Sequence, residues 1–187
     1  LTRRPLAVLV AAGGDASARA ARSATQTVPL VVLIGADPVK AGFARSLNHP
    51  GGNVTGITVL TSQLIDKRLG LVRELVPAAT AISLLTHPHS PNVEANVREA
   101  AAAARALGFR LHPRSAKAEQ ELASAFAASA QDRAPVVVST GSYFLPMRSR
   151  LLTLAANHAV PVFYDRREFV TAGGLASYGV SIADTYR

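Results

Sequence analysis

Cysteine is absent from all 187 residues, which removes disulfides, thiolate nucleophiles and cysteine-based zinc sites together. No apolar run approaches the roughly eighteen residues that a membrane-spanning helix needs, and the first residues carry no signal-peptide pattern. Aromatics are few, with four Tyr and six Phe. The formal net charge is +8, but the basic residues do not cluster. Arg3-Arg4, Lys67-Arg68, Arg148 with Arg150, and Arg166-Arg167 are scattered pairs, so a nucleic-acid-binding patch is not expected. The motifs of common enzyme classes are missing as well: there is no Gly-x-Ser-x-Gly elbow, His-Glu-x-x-His, Walker phosphate loop or Gly-x-Gly-x-x-Gly.

What is present is a globular pattern, with 49% apolar residues, enough to bury a core. Leu6–Ala11 is a continuous apolar run closed by Gly13-Gly14 and reads as a strand buried on both faces. Asp15 then stands as N-cap to an alanine-rich helix, Ala16–Thr25, and Leu30–Ile34 is the next buried strand. Gly35–Gly56 is a shaped connection fixed by Asp37-Pro38 and by the turn Asn48-His49-Pro50-Gly51-Gly52-Asn53, ahead of a β-like run at Ile57–Leu60. Ser62–Val76 has a helical period, with Leu64, Ile65, Leu69, Val72, Leu75 and Val76 on one side and Lys67, Arg68, Arg73 and Glu74 on the other. Strands follow at Ala81–Leu85, Phe109–His112, Pro135–Ser139 and Val160–Tyr164, separated by helices at Asn92–Leu107, Ala118–Ala130 and Met147–His158. This β/α succession predicts a doubly wound parallel sheet in which the strands at Ala81, Pro135 and Val160 are central.

In open α/β sheets ligands bind beyond the carboxyl ends of the strands. That rule selects Asp37, Thr58, His87, Ser139, Thr140, Ser142, Tyr164 and, less directly, Glu168. Each has a plainer role open to it. Asp15, Thr140 and Ser142 suit helix caps, Asp37 suits a turn anchor, and Glu168 can cap or pair near Arg166 and Arg167. Tyr143, Phe144, Tyr164 and Tyr178 offer stacking surface or core. His87-Pro88-His89 is half a metal site or a loop pair, and sequence places no third ligand beside it.

Two blocks carry a family resemblance. The first is Gly35-Ala36-Asp37-Pro38-Val39 with Ser46–Thr58, read as Ser-Leu-Asn-His-Pro-Gly-Gly-Asn-Val-Thr-Gly-Ile-Thr. The second is Val160-Pro161-Val162-Phe163-Tyr164, then Arg167-Glu168-Phe169-Val170 and Ala172-Gly173-Gly174-Leu175-Ala176-Ser177-Tyr178-Gly179. With the segments between them they resemble the ABC-transporter substrate-binding proteins that include tryptophan and tyrosine binders.

The resemblance implies a periplasmic-binding-protein type I-like α/β fold, present as a fragment: one complete doubly wound lobe plus part of a second. Residues 1–56 would be the partial first lobe, 57–174 the complete second lobe, and 175–187 the return crossover, with Thr55–Thr58 the outward crossover and Leu175–Tyr178 the return. It further implies a periplasmic solute-binding component of an importer. Such a protein holds a small organic molecule, an aromatic or other amino acid among them, in an interlobe cleft and meets ABC permease subunits, with no cofactor, metal or catalytic residue. Two departures stand out. His87 occupies a place where family members often carry Asn, and Thr140-Gly141-Ser142 lacks the acidic residue that many have.

Two other readings stay open. One is a small α/β enzyme using the same crevice, with Asp37 and His87 as base and acid. The other is the sensing core of a transcription regulator, which would need a helix-turn-helix upstream. Missing upstream strands would leave Leu6–Ala11 as an open edge, so a homodimer through residues 1–34 is expected of the fragment.

Overall fold

The computed structural model describes residues 5–59, 64–90, 92–140 and 143–181. They form two compact units, one holding the described residues up to Val59 and the other those from Leu64 to Ser181. Among the described residues no helix is long and apolar enough to cross a membrane.

The first unit comprises β1 (Leu9–Ala11), α1 (Asp15–Ala24), β2 (Leu30–Ile34) and β3 (Val54–Thr58), with a parallel sheet ordered β1-β2-β3. Leu30, Val32 and Ile34 of β2 alternate onto one face, where they meet Ala18 of α1, Val54 and Phe43. The strand expected at Leu6–Ala11 is shorter and is not buried on both faces: Val8 is 47% and Val10 63% exposed. An unbroken apolar run could not reveal that only one side of this sheet carries a helix from the described residues. Asp15 does not cap α1. Gly14 takes the N-cap position at φ 83°, without a side-chain cap, and the Asp15 carboxylate accepts from the Ala36 N–H at 3.2 Å. β3 begins at Val54 rather than Ile57, because Val54–Thr58 pairs residue for residue with Leu30–Ile34. The stretch read as the outward crossover, Thr55–Thr58, lies within the third strand of this sheet.

The second unit runs α2 (Ile65–Leu75), β4 (Ala81–Thr86), α3 (Val93–Ala106), β5 (Arg110–Ser115), α4 (Glu119–Gln131), β6 (Val136–Val138), α5 (Arg148–Asn157), β7 (Val162–Tyr164), α6 (Arg167–Thr171) and β8 (Ala176–Ser177). Its sheet is parallel throughout, in the order β5-β4-β6-β7-β8. The three strands expected to be central are central. The stretch read as a return crossover, Leu175–Tyr178, supplies β8, paired to β7 through Phe163↔Ala176 and Tyr164↔Ser177.

Alternation along the strands sorts the core into two layers. Leu84, Val137 and Phe163 face α2 and α3, meeting Ile65, Leu69, Val72, Ala100 and Ala104. Leu85, Val136, Val138, Val162 and Tyr164 face α4 and α5, meeting Leu122, Phe126, Leu151 and Leu154. Helices on both faces are what a strand buried at all six positions, such as Ala81–Thr86, requires. The edge strand β5 carries Pro113 and the basic residues Arg110 and Arg114, which blunt its unpaired edge.

Candidate functional site

Numbered within its own sheet, the second unit has strand order 2-1-3-4-5, the flavodoxin-like doubly wound arrangement. The direction of winding reverses between β4 and β6, and a crevice opens at the carboxyl ends on either side of that reversal. Register identifies the residues there. Leu85 lies opposite Val138, and the Ser139 N–H donates to the Leu85 carbonyl at 2.8 Å. Two residues farther on, His87 and Thr140 stand at corresponding positions past the ladder. On β7, Val137 opposite Phe163 carries the register to Asp165 beside Ser139.

His87 is nearly buried, at 8% exposure. Its ring stacks on Tyr143 with centroids 4.4 Å apart and planes 13° off parallel, and it meets Phe144 edge-on at 5.9 Å and His89 edge-on at 5.4 Å. The His89 N–H donates to His87 Nδ1 at 3.3 Å, so a neutral His87 carries its proton on Nε2. The Tyr143 hydroxyl donates to the His89 carbonyl at 3.0 Å, which closes a clasp between the loops after β4 and β6. Among the described residues no group of three His, Asp or Glu could hold a metal ion.

Burial, then repulsion from His89, lowers the His87 pKa below the usual imidazole value, against a smaller pull from Glu121. The folded state therefore prefers the neutral ring. As pH falls below about 6.5 the unfolded chain takes up the proton first, so stability is lost until the lowered native value is passed. A His87→Asn variant should flatten this part of the profile. Melting temperatures between pH 7.5 and 5 check it, and parallel curves for the two proteins would refute it.

Beside this clasp lies a charge that the sequence pattern assigned to the wrong face. Arg68 was expected on the polar side of its helix, but it is 1% exposed. It shares the inward side of α2 with Ile65, Leu69 and Val72. Because α2 precedes β4, its first turn lies alongside the strand carboxyl ends. There Arg68 Nη1 donates to the Val138 carbonyl at 3.0 Å and Nη2 to Thr140 Oγ1 at 2.6 Å. Burial lowers the Arg68 pKa, and the Asp165 carboxylate opposes that shift. Asp165 is itself 5% exposed, with Arg166 Nε 3.9 Å from its Oδ2. The signal in the sequence was positional: Arg68 is three residues from Ile65 and four from Val72, the spacing of a shared face.

The other expected site residues fall in different settings. Ser139 is buried, and with Thr140, Ile65, Leu84 and Asn96 it lines a cavity of about 10 Å3, room for about one water. Tyr164 is completely buried against Phe169, ring on ring at 4.4 Å. Its hydroxyl has no hydrogen-bond partner among the described residues, and burial pushes its pKa up to about 12. Glu168 is exposed in the first turn of α6. Ser142 lies outside the described residues.

Asp37 and Thr58 belong to the first unit. Asp37 Oδ1 accepts from the N–H groups of Val39 and Lys40 at 2.9 and 3.1 Å, the turn-anchoring role. The Thr58 hydroxyl donates to the Ala36 carbonyl at 2.8 Å. The second unit thus brings together His87, Ser139 and Thr140, to which Arg68, Tyr143 and Asp165 are added.

Comparison with known proteins places this geometry in context. A family model described as ABC transporter substrate binding protein matches residues 5–185. A tyrosine-binding protein from Clostridioides difficile is 43% identical over 77 residues, covering 41% of this chain and 22% of that protein. The ABC domain from Streptococcus pneumonia, solved in complex with L-Trp, superposes with a TM-score of 0.86 at 22% identity, over 99% of this chain and 62% of that one. A conserved domain protein from Vibrio cholerae gives a TM-score of 0.85 at 25% identity, over 98% of this chain and 61% of that one. The chain therefore spans about three fifths of the length of these solved structures and about a fifth of the curated relative.

Proposed function

Since this chain belongs to the ABC transporter substrate binding protein family, we propose that it carries the solute-binding site of an ABC-type importer at the strand carboxyl ends of its second unit. The observation that supports this reading is the reversal of strand order between β4 and β6, with His87, Ser139 and Thr140 at the two strand ends beside it. The matched family is described as substrate binding, one relative is named a tyrosine-binding protein and one similar structure was solved with L-Trp, and none of those compared above is named as an enzyme. The proposed solute is a small organic molecule of the aromatic amino-acid type. Tyr143 supplies a partly exposed ring for stacking, and Ser139 and Thr140 supply hydroxyls.

On the same reading the protein works in the periplasm and delivers its solute to membrane permease subunits. Asp37 and Thr58 would supply the first unit's share of an interlobe cleft. Closure of two lobes on a shared ligand would then be the event a permease senses, since a ligand that touches both lobes only when closed shifts the population toward that form. A homodimer through residues 1–34 belongs to the same proposal, supported by the edge position of β1 and the exposure of Val8 and Val10. Sedimentation across a concentration series tests it, and a persistent monomer would remove it.

The functional reading is tested by incubating the protein with a panel of amino acids, then measuring both the melting temperature and the integrity of each compound. Binding raises the melting temperature and returns the compound unchanged. Conversion of a compound to product would instead favour catalysis.

A further inference from the structure

The ladder between β4 and β6 ends at Leu85 and Val138, with one more backbone bond from Ser139 to Leu85. That between β6 and β7 ends a residue earlier, at Val137. Thr140 stands beyond both, at the switch point, where strand pairing no longer fixes the backbone. Arg68 reaches it, and its guanidinium forks to the last carbonyl of β6 and to the Thr140 hydroxyl. A guanidinium this deeply buried is costly unless paired and hydrogen-bonded. Its cost here is offset by those two acceptors and by the opposite charge of Asp165.

We infer that Arg68 is a positioning residue of the solute site: it holds Val138 and Thr140 in the geometry that receives the ligand, without touching the ligand itself. At 1% exposure it cannot be a contact residue. The geometry favours Arg over Lys. A planar fork addresses two acceptors at fixed angles, whereas an ammonium is a single point of charge. These two bonds tie α2 to the end of β6 at one corner of the crevice, and the negative charge of Asp165, just past β7, favours the charged guanidinium there. This inference rests on the proposed solute site for its consequence, but not for its geometry.

The test uses the 187-residue chain and two variants. Arg68→Lys keeps a positive charge beside Asp165 and loses the fork. Arg68→Met/Asp165→Asn removes both charges together, so the buried carboxylate is not left facing a missing cation. Titrations with L-tryptophan and L-tyrosine should show affinity falling at least about tenfold in each variant for whichever amino acid the wild type binds, the scale of one charge-assisted hydrogen bond. A second readout follows the Thr140 methyl resonance without ligand. It should shift and broaden in Arg68→Lys, which a merely structural substitution elsewhere on α2, such as Lys67→Met, would not cause.

Affinity within twofold of wild type in either folded variant would overturn the positioning role. If the wild type binds neither amino acid, the functional reading fails on those ligands. The methyl signal then decides the inference alone: an unchanged Thr140 resonance in Arg68→Lys overturns it, and a displaced one sustains it.

Discussion

Replacing Gly56 by alanine should cost the first unit at least about 3 kcal/mol, because the added Cβ has no space beside the backbone of β2. Gly56 sits in the middle of β3 at φ 154°, directly opposite Val32 of β2. A Cβ built there would lie 1.9 Å from the Val32 carbonyl oxygen, 2.7 Å from its nitrogen and 2.8 Å from its carbonyl carbon. These are backbone atoms, so no side chain can swing aside to make room. β3 would have to leave the register that runs from Val54 to Thr58, exposing Leu30 and Ile34 on the way. Gly52 is the control, because among the described residues nothing lies within 4 Å of a Cβ at that position. Urea denaturation read by hydrogen exchange at Leu30–Ile34 should separate the two. Equal stability for Gly56→Ala and Gly52→Ala would show that β3 is not held as described.

The second large effect is expected from Arg68→Met. The substitution takes away the donor that now serves the buried Val138 carbonyl and the Thr140 hydroxyl, and the positive charge that Asp165 favours, a combined loss of about 3 kcal/mol. Adding Asp165→Asn should recover part of that loss, which two independent sites would not do. Lys67→Met, one residue earlier and exposed, should be nearly neutral. If Arg68→Met is as mild as Lys67→Met, the guanidinium is not sustaining this corner of the sheet.

The chain's layout was readable from the sequence to the extent that periodicity encodes it. Leu30–Ile34 is an apolar run and Ala81–Thr86 a largely apolar one, and both are strands within one residue of the reading. The run at Leu6–Ala11 looked much the same but has one exposed face, because burial on the second side depends on which elements cover the sheet. Thr55 and Gly56 have no strand-like apolar signature, and their pairing with β2 comes from the neighbour rather than from local propensity.

The site was legible in the same uneven way. His87 and Thr140 followed from the rule about strand ends, since the positions of strand ends are visible in the sequence. Tyr164 also follows a strand end, yet alternation turns it into the layer beneath α4 and α5, where it packs on Phe169. Arg68 was missed because its charge suggested solvent. Its spacing from Ile65 and Val72 pointed inward, and acceptors about 70 positions along the chain, the Val138 carbonyl and the Thr140 hydroxyl, make inward burial possible. Long-range pairing of that kind leaves no periodic trace.

The central claim is that a solute binds at the strand carboxyl ends where the order reverses between β4 and β6. Its most direct test is a nitrogen-15 NMR titration of the chain with the amino acid that raises its melting temperature. The largest shifts should fall on His87, Ser139, Thr140 and Tyr143. Saturable shifts confined to the amino ends of the strands, around Ala81, Val136 and Val162, would contradict it.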